Sequence, residues 1–147
     1  MILAETSPVI RAHPEKLFAF FLAMETNYLR WHPDHVCFRW LEKAELRTGA
    51  GFYFEERIGG KLLKNTVTFT RIIPGALIEF APVSKIFALF LPRISFAVSR
   101  GAEGFSVMQE IVIRTGPIGA WLNRREFNAV SEHMRQEGEN LKRLLED

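Results

Sequence analysis

The sequence has little of several things that define whole classes of protein. It contains one cysteine, Cys37, among 147 residues, so the chain can form no internal disulfide. Its N-terminus lacks the basic segment, long apolar run and small-residue cleavage site of a secretory signal. The most apolar stretch, residues 86–91, is far shorter than the roughly 20 residues that a membrane-spanning helix needs. These absences predict a cytoplasmic protein without a membrane span.

The chain also has no excess of one charge. Its formal net charge is +2, and Lys and Arg occur in ones and twos. A nucleic-acid-binding surface needs a clustered basic patch, so we expect no nucleic-acid partner. There is no repeat, low-complexity tract or linker, and residues 1–147 are interpreted as one domain. The oligomeric state stays open, a homo-oligomer included.

What remains is an ordinary globular composition, with 48% hydrophobic and 24% charged residues. Residues 2–10 are interpreted as a strand. Pro14 favours the first turn of a helix, and a second short helix is predicted from Glu25 to about Arg30, ended by Pro33. The apolar residues that recur at helical spacing in the first helix are Leu17, Phe18, Phe21 and Leu22.

Residues 36–114 change to short β-type runs separated by turn signals, which predicts a meander of about six strands. The clearest hairpin joins residues 52–58 to 61–73, because Gly59 and Gly60 permit the positive φ angles of a two-residue turn. Residues 82–93 are predicted to form a short helix or a loop over the mouth of the sheet. Plain filling of the core is the alternative.

Residues 119–147 hold no proline and repeat apolar residues at helical spacing, which predicts one long amphipathic helix. The repeating residues are Leu122, Phe127, Val130, Met134, Leu141, Leu144 and Leu145. This order of elements resembles the α+β helix-grip fold of the START and Bet v 1-like proteins, in which a curved antiparallel sheet wraps around a C-terminal helix. Only that helix is large enough to cover the apolar face of the sheet.

The final helix carries the first candidate site residues. His133 and Glu137 are four residues apart, so their side chains share one face and can bind one ion. That face is the apolar stripe of the helix. A buried carboxylate without a partner costs several kcal/mol, so Glu137 needs a cation, a proton or a hydrogen-bond network.

A second candidate is the segment Trp31-His32-Pro33-Asp34-His35, which leads into the first strand of the meander. Strand alternation from His35 places Cys37 on the same face as His35. It places Val36, Phe38 and Trp40 on the other face, and which face points inward stays open. We interpret His32 as an orienting or surface group, and Cys37 as a small core residue.

The third candidate lies in the strand of residues 52–58, where Glu56 alternates with the apolar residues Phe52, Phe54 and Ile58. Glu56 is therefore predicted to point into the core and Glu55 into solvent. Two histidines and two glutamates from three elements suit Zn²⁺, which binds imidazole nitrogen and carboxylate oxygen. The aromatic residues able to wall a cavity, or simply to pack the core, are Trp31, Trp40, Phe52, Phe54 and Phe69.

At these residues the chain resembles the metal-dependent hydrolases typified by 2,4-diacetylphloroglucinol hydrolase and phloretin hydrolase, within the polyketide cyclase-like superfamily. The matching segments are residues 28–35 (YLRWHPDH), 56–60 (ERIGG) and 133–137 (HMRQE), with Asn140-Leu141 following. The resemblance implies one zinc ion per chain. It implies as ligands His35, Glu56, His133 and Glu137, with Tyr28 as a pocket tyrosine.

The function expected from the resemblance is zinc-dependent hydrolysis of a carbon–carbon bond in a small hydrophobic, aromatic ketone. Zinc would polarise the carbonyl group and lower the pKa of a bound water. Tyr28, His32 or a metal-bound water would deliver the proton to the leaving carbanion. Two alternatives stay open: a carrier or sensor of a hydrophobic ligand, and a purely structural metal.

Overall fold

The computed structural model describes residues 1–114 and 124–146. The strands are β1 (Ile2–Thr6), β2 (His35–Trp40), β3 (Gly51–Ile58), β4 (Lys61–Ile73), β5 (Leu77–Pro82), β6 (Arg93–Arg100) and β7 (Phe105–Val112). The helices are α1 (Glu15–Leu22), α2 (Met24–Trp31), α3 (Lys85–Phe90) and, numbered here as the fourth, α4 (Arg124–Leu145). The expected start of the last helix, with Leu122, and Asp147 lie outside the described residues.

The seven strands form one antiparallel sheet in the order β1-β7-β6-β5-β4-β3-β2. The six strands β2 to β7 follow one another as neighbours, which confirms the predicted meander. The expected hairpin joins β3 to β4, and its turn residues Gly59 and Gly60 have φ angles of +60° and +80°. This turn fixes the register in which Glu56 meets the strands beside it.

Helix α4 lies against β1, β3, α1 and α2. It buries Met134, Leu141 and Leu145 against the core, together with His133 and Glu137. Burying each large apolar side chain contributes about 1.5–3 kcal/mol, so this stripe holds the helix to the sheet. The fold class predicted from the sequence, α+β with a long C-terminal helix on a curved sheet, is confirmed.

The predicted end of the first strand was wrong. Strand β1 ends at Thr6 rather than at residue 10, because Pro8 has no N–H group for the ladder; Ile10 makes only an isolated bridge to Phe105. Helix α1, which was predicted from apolar residues at helical spacing, buries Leu17, Phe20 and Phe21, whereas Leu22 is 44% exposed. Met24, the first residue of α2, is buried as well.

Residues 82–93 contain the short helix α3, one of the two conformations expected there. The side chain of Ser84 caps this helix by accepting a hydrogen bond from the N–H of Phe87. Ile86 is 74% exposed and Leu89 is 57% exposed, so the interpretation of this segment as core filling was wrong. Among the described residues, no helix combines the length and the apolar character needed to cross a bilayer.

Candidate metal centre

A bulge in β2 turns His35 into the interior. His35 pairs with Glu56 and Cys37 pairs with Glu55, so Val36 is an extra residue in the ladder. As a result His35 is buried on the same side as Trp40, while Val36 is exposed. The alternation predicted for β2, with His35 and Cys37 on one face, was therefore wrong.

Glu56 and Glu55 point to opposite sides of β3, as predicted. The Glu56 side chain is 16% exposed and lies beside the ring of His35. Glu55 lies on the outer side, where it accepts hydrogen bonds from the Cys37 thiol at 3.2 Å and the Tyr53 hydroxyl at 2.9 Å. Cys37 is thus placed away from the interior cluster.

Helix α4 brings His133 and Glu137 to the same place. The donor atoms of His35, Glu56, His133 and Glu137 all lie within 4.8 Å of one another. These are the four side chains that the sequence analysis assigned to one ion. The structure contributes their geometry, and their role as ligands stays a prediction.

The spacing of the donor atoms suits a tetrahedral zinc ion. The Nε2 atoms of His35 and His133 are 3.3 Å apart, and Oε2 of Glu56 is 3.6 Å and 3.4 Å from them. Oε2 of Glu137 is 3.4 Å from Nε2 of His133. Zinc bond lengths of about 2.0–2.2 Å place tetrahedral donors about 3.3–3.6 Å apart. Oε2 of Glu137 and Nε2 of His35 are closer, at 2.8 Å, which is the length of a hydrogen bond.

Hydrogen bonds from outside the cluster orient its members. Nδ1–H of His35 donates to the backbone carbonyl of Tyr28 at 2.7 Å, which directs Nε2 at the cluster. The Tyr28 hydroxyl donates to Oε2 of Glu56 at 3.1 Å, and its ring stacks on that of His35 at 3.9 Å. Trp31 Nε1–H donates to the backbone carbonyl of Glu137 at 3.0 Å, which ties α2 to α4.

Burial and the negative charges of Glu56 and Glu137 shift the pKa values of the groups around the cluster. Burial raises the pKa of Glu137, but hydrogen bonds and charge from His133 and His35 hold it well below its usual range. Burial lowers the pKa of His133, yet its contacts with Glu137 and Glu56 raise it to about 10. Burial, then the charges of Glu56 and Glu137, raise the pKa of Tyr28 far above its usual value. Its hydroxyl therefore stays protonated and acts as a donor.

His32 is buried beside the cluster but is engaged elsewhere. Its Nδ1 accepts from the backbone N–H of Asp34 at 2.9 Å, so Nε2 carries the proton and donates to Oε1 of Gln136 at 2.6 Å. Its ring lies 4.1 Å from that of His133. His32, Asp34 and His133 form a second group of close donor atoms. Both ring nitrogens of His32 are thus hydrogen-bonded, and its role, orienting or proton-delivering, stays a prediction.

A cavity of about 80 Å³ opens beside the cluster. Tyr28, Glu56, His133 and Glu137 reach it, and most of its wall is apolar. Of the aromatic residues proposed for the wall, Trp31, Phe52 and Phe54 line it, whereas Trp40 and Phe69 pack in the core.

The sequence analysis missed one polar group in this cavity, Gln109. It is buried, and its Nε2 donates to the backbone carbonyl of Met134 at 3.1 Å. The signal was present, because Phe105, Val107 and Gln109 alternate on the buried face of β7.

Comparison with known proteins gives matches in structure but none in sequence. No protein-family model and no curated protein matches the sequence. Among solved structures, the KanY protein is similar over 100% of this chain and 98% of its own, with 14% identity and a TM-score of 0.72. The di-domain ARO/CYC protein BexL of the BE-7585A biosynthetic pathway is similar over 100% of this chain and 50% of its own, with 14% identity and a TM-score of 0.70.

Major latex-like protein 151 of Panax ginseng is similar over 98% of this chain and 96% of its own, with 10% identity and a TM-score of 0.67. Similarity at these identities shows a shared fold. The chain has the helix-grip fold of the Bet v 1-like proteins, as its order of elements predicted.

Proposed function

We propose that this protein is a zinc-dependent hydrolase that cleaves a carbon–carbon bond beside the carbonyl group of a small apolar, aromatic ketone. The observation that supports a metal-dependent reaction is the cluster of two imidazoles and two carboxylates at the edge of an apolar cavity. The choice of a carbon–carbon bond follows from the family resemblance of the segments that carry these residues.

The donor set fits zinc in charge as well as in spacing. His35 and His133 as neutral imidazoles, with Glu56 and Glu137 as carboxylates, would balance a divalent cation in a buried place. When bound, zinc supplies a Lewis acid that polarises a carbonyl group and lowers the pKa of water.

The cavity wall restricts the substrate. About 80 Å³ is smaller than the roughly 150 Å³ engineered cavity known to hold benzene. We therefore expect a substrate no larger than a single ring with a short acyl group. Hydrolysis would add hydroxyl from water to the acyl carbon and hydrogen to the ring carbon. The Tyr28 hydroxyl, which lines the cavity, would pass its proton to the ring carbon and take back the proton that the water releases.

Metal analysis of protein purified without chelator tests the first half of the proposal. We expect one zinc per chain in the parent and none in His133→Ala. His13→Ala is the matched control, because His13 is an exposed histidine outside the cluster. Zinc absent from the parent, or retained by His133→Ala, would contradict the metal site.

Incubation with a panel of acylated phenols tests the second half. The parent is expected to release the carboxylic acid and the deacylated phenol in equal amounts. The His133→Ala variant is expected to release neither product. A zinc-loaded parent that leaves the whole panel intact would refute the hydrolase.

A second candidate is a ligand-binding protein with a structural metal. Four protein donors complete a tetrahedral set, as structural zinc sites do. In that case zinc is present, ligands bind in the cavity, and neither turnover nor exchange of a zinc ligand is observed.

A further inference from the structure

The four donor side chains of the cluster differ in burial and in how firmly the surrounding structure fixes them. The side chains of His35, His133 and Glu137 are 0%, 6% and 8% exposed, and Glu56 is 16% exposed. Both ligands on α4 are fixed by a helix that packs on the core, and Trp31 binds the backbone of that helix at Glu137. Glu56 is therefore the donor with the most room to move.

The hydrogen bonds to the donors also distinguish Glu56 from His35. The Tyr28 hydroxyl donates to Oε2 of Glu56, the atom that faces both histidines. A hydrogen bond to a donor oxygen withdraws electron density and weakens its bond to a cation. His35 has the opposite arrangement, since its Nδ1–H donates to a carbonyl and this raises the basicity of Nε2.

The cavity is on the side of Glu56. Phe54 and Ile58, its neighbours on the inner face of β3, line the cavity with it, whereas His35 does not. A ligand in the cavity can thus contact Glu56, His133 and Glu137, and Glu56 is the most exposed of these three donors.

From these three observations, and resting on the zinc site proposed above, we infer that Glu56 is the exchangeable ligand. It gives up its position to an oxygen of the bound ligand, which converts a closed set of four donors into an open one. The charge of the buried site is unchanged when the incoming group is a hydroxyl that passes its proton to the released Glu56 carboxylate and then binds as the anion. The ligand class is accordingly a small apolar molecule with an anionic oxygen, such as a phenolate, an enolate or a hydroxamate.

Zinc affinity measured by competition with a chromophoric chelator tests the ranking. Glu56→Gln is expected to weaken zinc binding about tenfold, and the matched variant Glu137→Gln more than about 100-fold. Tyr28→Phe removes the hydrogen bond from Glu56 and is expected to tighten zinc binding by about threefold, an effect opposite to that of structural damage. Circular dichroism checks that each variant is folded.

The visible spectrum of the cobalt-substituted protein tests the exchange itself, with acetohydroxamate as the probe and acetamide as its neutral control. Acetohydroxamate is expected to change the spectrum of the parent, and to bind about tenfold more tightly to Glu56→Gln, where the competing carboxylate is gone. Acetamide is expected to leave the spectrum unchanged.

The outcomes separate the two proposals. Failure of the parent to bind zinc or cobalt would overturn the metal site and the exchange together. With metal bound, equal losses in Glu56→Gln and Glu137→Gln, weaker binding by Tyr28→Phe, or an unchanged spectrum with acetohydroxamate would overturn the exchange alone.

Discussion

His133 is expected to be protonated in the metal-free protein and neutral when it binds zinc. In the metal-free protein, Glu137 and Glu56 raise the pKa of this buried imidazole to about 10, so at neutral pH a proton on His133 offsets part of their negative charge. A zinc ligand must instead be a neutral imidazole. Metal and proton therefore compete for the same nitrogen.

Zinc binding is expected to release about one proton from His133 at pH 8, since that pH lies below the raised pKa. Calorimetry in two buffers of different ionisation enthalpy, such as HEPES and Tris, measures the number released. His133→Ala should show no zinc-dependent heat. Equal enthalpies of zinc binding by the parent in both buffers would contradict the prediction.

The stability of the metal-free protein is expected to fall at alkaline pH. His133 has a higher pKa folded, about 10, than its ordinary 6.5, so its contribution is complete below pH 6.5 and is lost as pH rises through about 10. Urea unfolding with EDTA should give a lower midpoint at pH 10 than at pH 7. The fall should be smaller in His133→Gln, and a parent midpoint that is flat over this range would refute the assignment.

Among the elements, β2 and β3 show where sequence patterns suffice. Alternation in β3 is regular, so placing Glu56 inside and Glu55 outside required only the positions of three apolar neighbours. Strand β2 carries a bulge at Val36, which no residue type indicates, and alternation counted across it wrongly grouped His35 with Cys37. The spacing of His133 and Glu137 was reliable because a helix has no comparable irregularity here.

Deletion of Val36 is expected to be tolerated. Val36 is the extra residue of the bulge, so its removal leaves His35 paired with Glu56 and facing inward. Deletion of Arg39, which has a partner of its own in β3, should shift the register and turn His35 away from the cluster. Zinc affinity should stay within about threefold in the first variant and fall by more than about 100-fold in the second. Loss of zinc binding on deletion of Val36 would show that the bulge shapes the site in another way.

For the whole molecule, the order of elements was enough to predict the helix-grip fold. That order resembles the order in helix-grip proteins, and only the long helix is large enough to cover the apolar face of the sheet. The position of the cavity and the separation of Trp40 and Phe69 from its wall were not predictable. They depend on how strongly the sheet curves, and that is a property of all seven strands rather than of any residue pattern.

Zinc is expected to stabilise the whole fold, because its proposed ligands join α4 to β2 and β3. Zinc at 100 times its dissociation constant should add about 2.7 kcal/mol to the free energy of unfolding. Thermal unfolding with zinc and with EDTA measures the difference. His13→Ala should respond like the parent and His133→Ala should not respond; a parent Tm unaffected by zinc would contradict the prediction.

His35 and Glu137 are 102 residues apart in the chain. A ribosome adds about 5–20 residues per second, so His35 is made roughly 5–20 s before Glu137. During that interval a nascent chain carries the imidazole and carboxylate of the sheet without their helical counterparts. Metal loading in the cell must accordingly await translation of residues 133–137, and a chain that stalls before residue 133 would lack both helical ligands.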